Sequence, residues 1–198
     1  MKNSFYRRIC IICEGYEEQD YLKRLIDLNV FNRNYEFILI NAKSIFNIFL
    51  RYQEKYASNS YHLVLMFCDT DKLTEYKTLK QQINKYHTKD VANEIIMYGN
   101  PCTMQIILSH FIKIKLKSQS KNINAHYIEQ VSGIINYKAK DNQRNELMNK
   151  INRTNYKTLK ENISELEDND TKCGTTNFLK FISYFESEDS SWIDEINV

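Results

Sequence analysis

The chain predicts an α/β fold, with a central, mostly parallel sheet flanked by helices and a helical C-terminal extension after it. Three observations carry that expectation. Two unbroken apolar runs, Ile9-Cys10-Ile11-Ile12-Cys13 and Leu63-Val64-Leu65-Met66-Phe67-Cys68, have strand length and enough hydrophobicity to be covered on both faces. Each run ends in acids, Glu14-Gly15 after the first and Asp69-Thr70-Asp71 after the second. Stretches with helical spacing of apolar residues separate the runs, the alternation that builds parallel sheets.

Taken in order, residues 8–13 form the first strand, and Gly15 supplies a turn into a helix whose apolar positions are Tyr21, Leu22, Leu25, Ile26 and Leu28. Residues 35–40 read as a second strand, with Asn41 or Ser44 placed to cap an amphipathic helix through Tyr52. Residues 61–68 are the third strand. Residues 73–87 intersperse Leu79 and Ile83 among charges, as a helix does, and 91–98 predict a fourth strand. Beyond Gly99 the texture changes. Residues 103–117 predict one helix, 124–160 are helical with a single break at Gly133, 169–176 form a loop, and 177–185 give a last apolar helix. The expected organisation is an α/β domain over 1–118 and a helical extension over 119–198 packed on the same core.

Composition is that of an ordinary globular chain, 42% hydrophobic and 26% charged. No apolar run approaches a membrane span, and no signal-peptide pattern opens the chain, so no membrane partner and a cytoplasmic location are expected. Cys10 and Cys13 have C-x-x-C spacing, but on a strand residues three apart face opposite sides. Buried thiols in a reducing compartment are therefore expected in place of zinc or redox chemistry. The net charge of +2 is unevenly placed, about +10 over residues 1–160 and −8 over 161–198. A basic body with an acidic end fits a polyanionic partner. Lysine, asparagine, isoleucine and tyrosine are abundant throughout, so the lysine excess is weak support.

In a parallel sheet the C-terminal ends of neighbouring strands share an edge, and that edge carries the site. Glu14, Asp69 and Asp71 converge there, and the two aspartates point to one side while the chain stays extended. Grouped carboxylates repel unless a cation lies among them, and hard oxygen ligands suit Mg²⁺ or Mn²⁺. Glu18, one helical turn beyond Glu14, is a further ligand candidate. Gly99 and Pro101 bracket Asn100 just after the fourth strand, on the same edge.

These motifs resemble the Toprim domain of topoisomerases, primases and several nucleases, and within that superfamily the RloB-like proteins. Glu14-Gly15-x-x-Glu18 followed by Tyr21-Leu22 is similar to the family's opening motif, and Phe67-Cys68-Asp69-Thr70-Asp71 to its Asp-x-Asp. Asn100-Pro101-Cys102 with Ile107-Leu108 and His110-Phe111 resembles its Asn-Pro segment, and Gly174-Thr175-Thr176-Asn177 its ending. The resemblance spans nearly the whole chain. Where the family has Phe-Glu-x-Trp, this chain has Thr103-Met104-Gln105-Ile106, so Met104 replaces a glutamate.

The resemblance implies a Toprim-type, Rossmann-like fold and a metal-dependent nuclease of phage defence, cutting DNA or RNA (tRNA included), and often encoded beside an ABC/SMC-type ATPase. Glu14, Asp69 and Asp71 would be catalytic, and with Glu18 would hold Mg²⁺ or Mn²⁺. Asn100, His110, Lys113, Lys117, Lys138 and Lys140 are candidate nucleic-acid contacts. Each has a plainer reading: Asn100 as a turn residue, His110 as a buried histidine on an apolar face, the lysines as a solvated surface. No Walker A loop is present, so ATP dependence has to come from a partner. Two other functions stay open, a Toprim-derived binding or regulatory subunit that has lost cleavage and an RNA-processing maturase. Oligomeric state is open too, a homo-oligomer included.

Overall fold

Continuous apolar runs flanked by acids become the two central strands of the sheet. The computed structural model describes residues 6–196. In chain order the elements are β1 (Arg7–Cys13), α1 (Tyr16–Asp27), β2 (Tyr35–Asn41), α2 (Ile45–Ala57), β3 (Leu63–Asp69), α3 (Leu73–His87), α4 (Ala92–Ile95) and β4 (Ile96–Asn100). After them come α5 (Met104–Leu108), α6 (Lys121–Ser132), α7 (Asp141–Lys150), α8 (Arg153–Ile163), β5 (Thr175–Thr176), α9 (Phe178–Glu186) and α10 (Ser191–Ile196). The sheet order is β2-β1-β3-β4-β5, with the first four strands parallel and β5 antiparallel. Strand order reverses between β1 and β3, the place where an open α/β sheet leaves a crevice outside its strand ends.

Register assigns the helices to faces. Phe67 pairs with Met97 and Cys68 with Tyr98, and successive side chains on a strand point to opposite faces. Phe178 of α9 stacks on Phe67 at 5.5 Å, whereas Tyr76 of α3 meets Tyr98 at 6.2 Å, so α9 and α3 lie on opposite faces. Tyr21 joins α1 to the α9 face through Phe178. Both faces of the sheet are thereby covered, as the unbroken apolar runs require.

The segment 103–117 departs from expectation. Only Met104–Leu108 is helical, and all five residues are buried. The chain then continues without regular structure, with Gln105 donating to the Ile114 carbonyl and accepting from the Leu116 amide. Ile112-Lys113-Ile114-Lys115-Leu116-Lys117 alternates with period two, a strand signal that the helical reading overlooked. The fourth strand is also shorter than 91–98. Asn84 Oδ1 accepts from the Val91 and Ala92 amides and starts one helical turn, so β4 begins only at Ile96. Over 124–160 the break at Gly133 is present, with φ +72°, but a second break falls where Asn152 accepts from the Thr154 and Asn155 amides and caps α8. Ser191–Ile196 adds a terminal helix the sequence reading lacked.

The C-terminal region finishes the sheet. Within the expected loop 169–176, Thr175 and Thr176 pair with β4. Asn177 then acts as one further strand partner, its side chain accepting from the Tyr98 amide and donating to the Ile96 carbonyl. The edge of β4 is thus paired or capped along its length. Buried residues from 128 to 163 and from 178 to 196 belong to the same hydrophobic cluster as β1 and β3. Among the described residues, no helix is long and apolar enough to cross a membrane.

Candidate functional site

Glu14 follows β1 directly and stays in register with β3, its amide donating to the Phe67 carbonyl at 2.9 Å. Its carboxylate Oε2 accepts from the Asp69 amide at 3.2 Å. The two strand tips are thus joined, across the strand-order reversal, by one acid. Asp69 is 1% exposed. Its Oδ1 accepts from the Thr103 amide at 2.8 Å, and its Oδ2 meets the Lys121 ammonium at 2.5 Å. The same ammonium lies 3.5 Å from Asp71 Oδ2. Asp69 and Asp71 therefore converge on one cation, and that cation is a lysine.

Glu18 has a local task as well. Its Oε2 accepts from the Gly15 amide at 2.8 Å, which fastens the first turn of α1. Its Oε1 lies 2.8 Å from Thr103 Oγ1, which is also 2.9 Å from Asp69 Oδ1. A hydroxyl carries one proton, so it donates to one of these carboxyls and accepts from the other only when that one is protonated. Burial, with Asp69, Glu17 and Glu14 after it, raises the Glu18 carboxyl well above its ordinary range.

The same crowding acts on its neighbours. Burial first, and Asp69 next, raise Glu14 to about 7, so it is part protonated and part ionised at neutral pH. Burial raises Asp71, offset by Lys121. Burial opposes the charge of Lys121, but Asp69 and Asp71 outweigh it and the ammonium is held more firmly than usual.

Glu14, Glu18, Asp69 and Lys121 line a cleft of about 490 Å³, with Asp71 beside Lys121 but outside the lining. Its acids are Glu14, Glu17, Glu18 and Asp69; its cations are Lys43, Lys121, Lys138 and Arg144. Glu17, an acid in the first turn of α1, is buried and accepts from the Tyr137 hydroxyl at 2.5 Å. Arg144 bonds Asp20 at 2.7 Å, donates to the Ala139 carbonyl and lies over the Tyr16 ring at 5.2 Å, fixing the 137–141 loop against α1. Thr103 and Glu17 join the site through the structure alone; Lys121 and Arg144 carry no local sign beyond belonging to the lysine- and arginine-bearing stretch after residue 112, and Tyr137 stands beside Lys138 there. Met104 lines the cleft where the resemblance expects a glutamate.

Of the candidate nucleic-acid contacts, only Lys138 lines the cleft. Lys117 and Lys140 are exposed elsewhere, and Lys113 pairs with Glu165 at 2.6 Å. Asn100 and His110 are each 1% exposed, so as placed they serve the fold and do not meet a ligand. Asn100 donates to the Asp170 carbonyl, and His110 Nε2 shares a hydrogen bond with the Tyr21 hydroxyl at 2.9 Å. Burial lowers His110 to about 4, which keeps its ring neutral. Cys10 and Cys13 are buried free thiols, and burial raises Cys10 to about 12.

Among the described residues no three His, Cys, Asp or Glu side chains form a ready metal cluster. The donor set nonetheless fits a hard cation. Two carboxylates already share the Lys121 charge, and burial first, with neighbouring acids after it, raises Glu14, Glu18 and Asp71. Glu14, Asp69 and Asp71 are the residues that could hold such an ion, with Glu18 behind them through Thr103. Compared with protein-family models, curated proteins and solved structures, the chain matches none, and its resemblance to RloB-like proteins rests on the motifs themselves.

Proposed function

We propose that the chain is a Mg²⁺- or Mn²⁺-dependent nuclease hydrolysing phosphodiesters of DNA or RNA. The observation that carries this reading is the convergence of Asp69 and Asp71 on one cation beside Glu14, at the crevice of the sheet. A divalent ion held there supplies charge against a phosphate oxygen and acidifies a water. Asp69 is oriented by Thr103 and presents Oδ2, with Asp71 beside it. Glu14, beside Asp69 at the strand tips, is placed to take the proton of an attacking water and return it to the leaving oxygen. Lys43 and Lys138 are the cleft cations placed to meet a phosphate backbone, Arg144 being paired with Asp20 and Asp141. The phage-defence setting and an ABC/SMC-type ATPase partner belong to this proposal through the motif resemblance alone.

The test is incubation of the purified full chain with Mg²⁺ or Mn²⁺ and DNA, tRNA or ribosomal RNA. Cleavage that Asp69→Asn and Glu14→Gln abolish is expected; intact substrate under every condition refutes the reading. Met104 in the cleft favours one alternative, a Toprim-derived binding or regulatory subunit. That alternative predicts nucleic-acid binding without cleavage, unaltered by Asp69→Asn.

A further inference from the structure

Lys121 is oddly placed for a surface lysine. It is the first residue of α6, where the helix dipole disfavours a cation, and it follows a segment without regular structure. Its stem nevertheless brings the ammonium to Asp69 Oδ2 at 2.5 Å and Asp71 Oδ2 at 3.5 Å. Asp69 Oδ1 is already committed to Thr103, so Oδ2 is the oxygen left for a cation. The Asp69 side chain is 2% exposed and would be an uncompensated buried charge without a partner. The Lys121 side chain is 40% exposed overall, and its flexible stem gives the ammonium a way to leave.

We infer that Lys121 is an internal counter-cation that occupies the divalent-metal position in the metal-free chain and is expelled when the metal binds. The inference rests on the metal-site reading above and adds to it a competition: one oxygen of Asp69 serves either the ammonium or the metal. Lys121 then keeps the carboxylates folded and charged before metal arrives. The cost is affinity, because each metal ion has to displace a resident charge. Lysine suits this task better than arginine, whose planar fork would bridge both carboxylates and resist displacement.

The experiment measures Mn²⁺ binding to the full chain by titration calorimetry, comparing wild type with Lys121→Met, which keeps stem length and removes the charge. The variant is expected to bind Mn²⁺ about tenfold more tightly, a typical size for coupling between competing ligands. It is also expected to unfold at lower temperature without metal and to gain more from Mn²⁺ than wild type does. A second arm needs no variant. Acetylation of Lys121 in the wild-type chain, followed by mass spectrometry, is expected to quicken several-fold at saturating Mn²⁺. Equal or weaker Mn²⁺ binding by Lys121→Met overturns the inference, as does unchanged acetylation of Lys121 while Mn²⁺ is bound, and in both cases the metal-site reading survives. Absence of Mn²⁺ binding by both proteins overturns the two together. Should Lys121→Met fail to fold, the acetylation arm decides.

Discussion

Replacing Glu14 with glutamine should stabilise the metal-free protein at alkaline pH. Burial, and the Asp69 carboxylate after it, raise Glu14 from 4.5 to about 7. Below pH 4.5 the carboxyl is protonated in both folded and unfolded chains and costs nothing. Between 4.5 and 7 only the unfolded chain ionises, so stability falls as pH rises; above 7 the full penalty is present. A gap of about 2.5 pH units corresponds to about 3 kcal/mol. Glutamine keeps an acceptor oxygen for the Asp69 amide, so the 3.2 Å hydrogen bond need not be lost. Glu14→Gln should therefore exceed wild type by about 3 kcal/mol at pH 8, or about 6–12 °C in Tm, and should show no gain at pH 4.5. Urea unfolding in chelator across that range measures the difference. Saturating Mn²⁺ should reverse the order, because the wild type then has a cation against its charge. Parallel pH profiles for the two metal-free proteins would refute the electrostatic account of Glu14.

Two further substitutions probe the scaffold behind the carboxylates. Thr103→Val is nearly isosteric but removes the hydroxyl between Glu18 and Asp69, and should cost about 1–3 kcal/mol in urea unfolding; Thr103→Ser should restore most of it. Gly99→Ala should cost about 1–3 kcal/mol, because its Cβ would lie 2.6 Å from the Cys102 carbonyl oxygen, a backbone atom that no rotamer change can move aside. A wild-type Tm for that variant would show that the turn after β4 can shift.

What could be read in the sequence was what depends on continuous stretches of chain. β1 is apolar from Ile9 to Cys13 and β3 from Leu63 to Cys68, so parallel strands covered on both faces followed, and with them the meeting of Glu14 and Asp69. Residues whose neighbours come from elsewhere were hidden. Nothing local to Lys121 announces that Asp69 lies 2.5 Å away, and Thr103 reads as an ordinary helix-start residue until Glu18 and Asp69 are placed on either side of it. Glu17 had a sufficient local explanation in the dipole of α1, which concealed that Tyr137 reaches it over a separation of 120 residues. For Ile112 to Lys117 the signal was present and misread, since a two-residue alternation was absorbed into a preceding helical run.

The acidic C-terminal end is held in part by ion pairs with the body. The region 161–198, at −8, turns its acids outward to cations of the body: Asp170 to Lys80, Glu165 to Lys113, Glu186 to Lys160 and Asp194 to Arg7. Those pairs contribute little energy individually. At the cleft, acids and cations both come from the basic body before residue 161: Glu14, Glu17, Glu18, Asp69 and Lys43 lie before residue 118, and Lys121, Lys138 and Arg144 beyond it. The helices after 118 therefore supply counter-charge to a carboxylate cluster that the strands alone would leave uncompensated, just as Thr175, Thr176 and Asn177 supply partners to the edge of β4. Each half completes a deficit in the other, so the site and the fold should be lost in the same transition when either is disturbed.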